Sequence, residues 1–476
     1  MGHSFLWHDY ETSGSDPRRD RPLQFAAVRT DEALRPIGEP VVLYCRPAND
    51  CLPQPEACLI TGIMPQAAME KGLPEADFMG QINDLFSLPE TCGVGYNSLR
   101  FDDEVTRHGL YRNLLDPYGR EWRNGNARWD LIDLMRACRA LRPEGIAWPD
   151  DDEGRPSFRL EDLSAANGLE HESAHDALSD VHATIALAKL VKTRQPRLFA
   201  YYFSLRRKQA VRAQLDIAAM RPVLHVSGMY GHENGFTTLC APVCEHPTNP
   251  NGVLMFDLRH DPGPFLDLSA EDLQVRLFTT NAELGEDQPR LPVKTLHINR
   301  CPMTAPVKTL DPASAKRLNI DAQKCLEHAQ RLKQARGFID RLRDAHGHRQ
   351  FTDPTDPDLM LYSGPFIGDA DRRRLDQARA GRGDLRGLDL NFDDPRLPEM
   401  VFRYRARNYP ESLNEEETAR WDDFRYLRLT DPDGGGSIHL DAYYEELNRL
   451  GNLPDCTPRD RKILHALAGW AEYLMG

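Results

Sequence analysis

The sequence lacks any apolar run approaching the ~18–20 residues of a membrane-spanning helix, which excludes a transmembrane helical protein. The stretch from Met1 to Glu11 has no Lys or Arg and meets acids at Asp9 and Glu11, so no export signal is expected. Cysteine is sparse: ten thiols lie far apart, and Cys240, Cys244 and His246 have no second pair at zinc-finger spacing. Reduced, mostly buried thiols in a cytoplasmic protein are expected. Positive charge is in deficit, with 59 Lys and Arg against 73 Asp and Glu and a formal charge of −14. That argues against whole-surface attraction to nucleic acid or anionic membrane, while leaving room for a local basic groove. No internal repeat is visible. What is there is a long chain of 476 residues, 40% hydrophobic and 28% charged. This is a globular balance spread over about two to four domains, at ~100–200 residues each.

The first third alternates strand and helix signals and predicts an α/β layer fold. Residues 4–10, 23–30, 41–45 and 91–96 read as strands; 103–115, 160–167 and 177–192 read as helices. Pro196 breaks the last helix and sets a boundary near 195. Short β-like runs at 223–227, 252–258 and 293–298, then a helix across 313–345, predict a small barrel-like module. A polar, proline-bearing junction at 351–358 leads to helices at 369–380, 415–427, 440–450 and 459–474, with a flexible glycine loop at 431–437. The expected domains are 1–195, 196–350 and 351–476.

Asp9 and Glu11 stand at i and i+2 on the end of the first strand, so alternation puts both on one face, above Phe5 and Trp7. Two acids there repel unless a cation lies between them, and hard divalent cations prefer oxygen ligands. The segment 97–102 (Asn-Ser-Leu-Arg-Phe-Asp) places Asp102 at a strand-to-helix turn. His175 and Asp180 are five residues apart, ~500° around a helix. They converge only if His175 precedes the helix and Asp180 lies in its first turns, where Asp176 can serve as N-cap. Four acids and one histidine in this order satisfy two-metal phosphodiester hydrolysis. Histidine, with an unperturbed pKa of ~6.5, suits the removal of a proton from the attacking water.

Three segments carry a specific resemblance: Phe5-Leu-Trp-His-Asp-Tyr-Glu-Thr, Gly95-Tyr-Asn-Ser-Leu-Arg-Phe-Asp-Asp-Glu-Val-Thr-Arg107 and Ser173-Ala-His-Asp-Ala-Leu-Ser-Asp180. They resemble the exonuclease motifs of the DEDD superfamily, histidine variant. Arg21-Pro-Leu-Gln-Phe-Ala-Ala, Leu141-Arg-Pro-Glu-Gly-Ile, His225-Val-Ser-Gly-Met, His297-Ile-Asn-Arg-Cys-Pro and Tyr404-Arg-Ala-Arg-Asn-Tyr-Pro extend the match over nearly the whole chain. They narrow it to the bacterial exodeoxyribonuclease I family. The resemblance implies an α/β multidomain enzyme: a ribonuclease H-like exonuclease domain, an SH3-like β-barrel domain and a helical C-terminal domain forming a C-shaped clamp. It implies a monomer that degrades single-stranded DNA from the 3′ end to 5′-mononucleotides, in DNA repair and recombination. By the same resemblance, Asp9, Glu11, Asp102 and Asp180 hold two Mg²⁺ ions, Mn²⁺ being able to substitute, and His175 is the general base. Arg159 and Glu11 are expected at the substrate, Arg159 on a phosphate near the scissile bond and Glu11 on the terminal 3′-hydroxyl. DNA contacts are expected at Arg107, Tyr118, Trp122, Arg136 and Phe158.

Between Arg107 and Arg159 ten arginines and no lysine interleave with aromatic residues. Arginine forks grip phosphate and aromatic faces stack on unpaired bases. Nearby acids nearly cancel the charge, so the stretch reads equally as a strand-binding surface and as a solvated mixed face. From Val191 to Val226 eight cations face Asp216 alone, where a strand leaving the active site has room to run. A third cluster, Arg372, Arg373, Arg374, Arg379, Arg382 and Arg386, is the expected seat, by resemblance, for the acidic C-terminal tail of single-stranded DNA-binding protein. Two features depart from the family pattern: Ser13 stands where an aromatic residue is more usual, and the 431–437 loop has no clear counterpart. Two rival readings are a DEDD-type exoribonuclease or proofreading exonuclease, and a non-catalytic single-strand-binding scaffold. The long chain after the nuclease region opposes the first, and the intact acid set opposes the second.

Overall fold

The computed structural model describes residues 3–169, 176–285, 288–347 and 354–476; His175 lies outside them. The chain divides into two compact units. One comprises Met1–Ala127, His171–Ile185 and Thr352–Gly476; the other comprises Arg128–Glu170 and Ala186–Phe351.

The first unit is built on β1 (Ser4–Thr12), β2 (Pro22–Thr30), β3 (Val41–Tyr44) and β4 (Thr91–Gly95). With β5 (Ala127–Asp130) they form a five-stranded sheet of order β3-β2-β1-β4-β5. β1 is its middle strand, antiparallel to β2 and parallel to β4. A strand covered on both faces loses the polar alternation of a half-exposed one, and β1 is buried along nearly its whole length. On one face Leu6 and Tyr10 pack with Phe25, Phe86, Val105 and Leu110. The Trp7 indole N–H donates to Thr30 Oγ1 at 2.8 Å. The parallel ladder with β4 runs only from Ser4↔Thr91 to Trp7↔Val94. Beyond Trp7 the two strands part, and the acids of β1 lie in that opening.

Three helices between β3 and β4 are absent from the sequence reading: Pro55–Thr61, Pro65–Lys71 and Glu75–Ser87. Two of them have only 7 residues, too few to display a helical period. The C-terminal part of this unit is helical, and helices Asp369–Ala380, Glu415–Thr430, Leu440–Gly451 and Pro458–Met475 lie where the periodicity places them. Helix Leu397–Asn408 escapes the pattern because it is buried nearly all round, Arg403 and Arg405 included. Leu52 and Cys58 share a core with Tyr443, Leu467 and Trp470, so early and late segments fold together.

The second unit contains an antiparallel sheet of order β10-β6-β7-β8-β9: β6 (Val223–Val226), β7 (Thr237–Glu245), β8 (Gly252–Asp257), β9 (Val293–His297) and β10 (Met303–Pro306). β7 is central yet contains Pro242, a residue that argues against a central strand; the ladder accommodates it by a register shift between Pro242 and Cys244. The single helix expected across 313–345 is three: Pro312–Arg317, Ala322–Gln334 and Arg336–Gly347. Asp311 and Asp321 cap the first two, and Asn319 between them has φ +51°. Pro196 ends one helix and begins the next, Pro196–Ser204, at its first position. All ten cysteines are thiols rather than disulfides, and nine are buried. Among the described residues no helix is long and apolar enough to cross a membrane.

Candidate active site

β1 delivers Asp9 and Glu11 from one face of its C-terminal half, which still pairs with β2 but no longer with β4. β4 stops at Gly95, and Asn97 turns the chain at φ +61°, a conformation asparagine tolerates. Helix Asp102–Arg112 then starts on Asp102 itself, buried to 5% exposure. The backbone N–H of Tyr10 donates to Asp102 Oδ1 at 3.2 Å, at the point where β4 no longer pairs with β1. Asp180 comes from the first turn of helix Ala177–Arg194. Asp176 caps that helix, its Oδ1 accepting from the Ser179 N–H at 3.1 Å.

Carboxylate oxygens of Asp9, Glu11 and Asp180, one from each, all lie within 4.8 Å of one another. Among the described residues this is the one such group of acids, histidines or cysteines. Cys240, Cys244 and His246 do not form another. Burial, then the charges of Asp102, Glu11, Asp180 and Asp176, push the Asp9 carboxyl well above the usual carboxylate range. Burial, then Asp180, Asp102 and Asp176, push Glu11 up to about 8. Massed carboxylates in a low-dielectric site take up protons unless a cation replaces them. An all-oxygen, multiply anionic donor set fits a hard divalent cation such as Mg²⁺ or Mn²⁺. The site can therefore hold metal.

The expected DNA contacts divide between the units. In the first, the Trp122 indole is 64% exposed, with the Arg123 guanidinium 5.4 Å from its ring. Tyr118 lies 5.5 Å from the Arg107 guanidinium. Arg107 itself is buried and engaged: Nε and Nη2 donate to Glu121 at 2.7 and 2.9 Å, and Nη1 donates to Glu104 at 2.9 Å and to Tyr362 Oη at 3.0 Å. In the second, Phe158 meets Phe236 edge-on at 5.5 Å, with the Arg136 guanidinium 5.8 and 5.5 Å from the two rings. Arg159 is exposed and paired with Glu161 at 2.6 Å. The arginines of 107–159 are largely ion-paired, to Glu75, Asp103, Asp116, Asp133 and Asp150 among others. In the 372–386 cluster Arg372 pairs with Asp116, Arg382 with Asp77 and Arg386 with Asp384.

Sequence reasoning does not find three residues that shape the site. Tyr10 lies between two acids but on the opposite face, so it reads as core. Asp103 holds the buried Arg120 at 2.6 Å and is hidden behind Asp102 in sequence. Asp176 reads only as a cap. Ser13, which stands where an aromatic residue is more usual, is buried and accepts from the Arg21 N–H at 2.9 Å, so its hydroxyl serves the turn after β1.

Family models match three stretches: Exonuclease at residues 6–188, Exonuclease I SH3-like domain at 206–348 and Exonuclease I C-terminal domain at 355–474. Exodeoxyribonuclease I of Escherichia coli (strain K12) is 49% identical over 474 residues, 99% of this chain and 98% of that protein. A moderately thermophilic exonuclease I from Methylocaldum szegediense has a TM-score of 0.96 and 52% identity over 100% of both chains. Escherichia coli exonuclease I in complex with a dA16 oligonucleotide has a TM-score of 0.95 and 47% identity, over 99% of this chain and 100% of that one.

Proposed function

We propose, from the premise that this chain belongs to the exodeoxyribonuclease I family, that it hydrolyses single-stranded DNA from the 3′ end. The products are 5′-mononucleotides, and the setting is DNA repair and recombination in the cytoplasm. The observation that supports the chemistry is the convergence of Asp9, Glu11 and Asp180 to within 4.8 Å, with the Asp102 charge acting on Asp9. Relatives bound to oligonucleotides support the substrate class.

On this reading Asp9, Glu11, Asp102 and Asp180 hold two Mg²⁺ ions. When bound, such ions lower the pKa of a water and neutralise charge on the leaving 3′-oxygen. His175 takes the proton of the attacking water. Glu11 also accepts from the terminal 3′-hydroxyl, and the exposed Arg159 grips a phosphate near the scissile bond by exchanging its half-buried partner Glu161. Trp122, Tyr118 and Phe158 offer ring faces to bases, which every base can use. Arg107 braces the Tyr118 ring and Arg136 the Phe158 ring; both are ion-paired, so a phosphate reaches them only by displacing Glu121 or Asp133. We place the domain limits at 1–195, 196–350 and 351–476 and the working form as a monomer. The cluster around Arg372 and Arg382 is the proposed seat for the acidic C-terminal tail of single-stranded DNA-binding protein. Asp116 and Asp77 occupy these guanidiniums, so a tail has to displace them.

A 5′-labelled single strand tests the reading. Under Mg²⁺ it is expected to shorten from its 3′ end, while RNA of equal length persists. Faster digestion of the RNA, or immediate loss of the 5′ label as mononucleotide, overturns the substrate or the polarity.

A further inference from the structure

Tyr10 is flanked by Asp9 and Glu11, yet its ring is buried on the other face of β1, 4.8 Å from Phe25. Its phenol stands 3.0 Å from Thr106 Oγ1, and Thr106 Oγ1 stands 2.8 Å from the carbonyl oxygen of Asp102. Thr106 is wholly buried. It has a single hydroxyl proton, and the Asp102 carbonyl can only accept, so Thr106 donates to the carbonyl and Tyr10 donates to Thr106. At its other end, the Tyr10 backbone N–H donates to Asp102 Oδ1. One residue therefore holds Asp102 twice, by its carboxylate through the main chain and by its carbonyl through Thr106.

That grip matters because Asp102 comes from a different element than Asp9 and Glu11. The strands that carry the two parts separate after Trp7↔Val94, so sheet pairing no longer sets their spacing. We propose that Tyr10 is a positioning residue which, through Thr106, sets where Asp102 stands relative to Asp9 and Glu11, and thereby the affinity of the four acids for divalent cations. The inference rests on the metal-dependent reading above. Tyr10 touches neither substrate nor metal; it acts through Asp102. Groups that orient metal-binding side chains commonly change metal affinity by ~10–100-fold when removed.

The test is Mn²⁺ binding by the full-length protein without DNA, read by the electron paramagnetic resonance of the free ion. Tyr10→Phe keeps the ring in its core and removes only the hydroxyl; it is expected to bind Mn²⁺ roughly tenfold more weakly. Thr106→Val is expected to match it, and Thr106→Ser to restore binding. Combining Tyr10→Phe with Thr106→Val is expected to add nothing, because both break one chain. Unchanged Mn²⁺ affinity in a folded Tyr10→Phe protein overturns the proposal, as does an additive double variant. Asp9→Asn separates this from failure of the underlying reading. If Asp9→Asn binds Mn²⁺ like the unaltered protein, the four acids are not the metal site at all.

Discussion

A carboxylate at the end of a strand is ordinary until others are brought beside it. Asp9 and Glu11 are acids of unremarkable sequence context whose protonation is governed by burial and by Asp102 and Asp180. Replacing Asp9 or Asp180 by Ala is expected to abolish hydrolysis while single-strand binding stays within several-fold, measured by digestion and by filter binding. Undiminished digestion by either variant defeats the two-metal account. His175→Ala is expected to slow turnover by ~10²–10⁴-fold at saturating strand, as for a lost general base; a normal rate means another group takes the proton. At this scale the acids were legible, because the alternation of a strand and the first turn of a helix each constrain where a side chain points. The engagement of Arg107 was not. Its carboxylate partners Glu104 and Glu121 are near in sequence, but only the fold places both on one guanidinium.

Among the elements, those with a clear period were read closely, and helix Asp369–Ala380 matches its expected bounds. Those whose period is masked were not: β7, with Pro242 near its centre, and helix Leu397–Asn408, buried nearly all round. The 431–437 loop, read as flexible, is tightly seated. A Cβ on Gly434 would stand 2.3 Å from the Leu427 carbonyl oxygen, and one on Gly436 would stand 2.7 Å from that of Arg428. Ser437 accepts from Gln54 Nε2 at 3.0 Å through its hydroxyl. Gly434→Ala is expected to destabilise by ~1–3 kcal/mol in urea titration, as overpacking does. Gly80→Ala, in helix Glu75–Ser87 with open space at its Cβ, is expected to stabilise by ~0.5–1 kcal/mol. Equal effects at the two positions refute the close fit of the loop.

At the scale of the molecule, the first unit is fastened by a buried ionic cluster. Arg407 reaches Asp50 at 2.8 Å and Asp358 at 2.6 Å, and Arg403 reaches Asp358 at 3.2 Å. Burial pushes the Asp50 carboxyl up, but the Arg407, Arg21 and Arg428 guanidiniums outweigh it and hold it well below the usual range. Asp358 behaves likewise beside Arg407 and Arg403. A carboxyl depressed in the folded state binds fewer protons there than in the unfolded chain. Its contribution is complete above the unfolded pKa of ~3.9 and is lost as pH falls through the folded value. Asp50→Asn is expected to destabilise by ~3–5 kcal/mol at pH 7, since it leaves buried guanidiniums uncompensated. Thermal melts should show the gap to the unaltered protein closing below about pH 4. A gap that stays constant down to pH 3 removes the electrostatic account.

The class of fold, and the elements on which the acids stand, were legible along the chain, because residue type and local period are properties of neighbouring positions. Asp9 with Glu11, Asp102 at a turn and Asp180 after a cap could each be placed on an element without knowing where the elements meet. Not legible there were which acids share a pocket, that Tyr10 grips Asp102 from both ends, and that Leu52 and Cys58 complete a C-terminal core. Those outcomes depend on contacts between residues far apart in the chain, where packing and burial, not local propensity, set the energy.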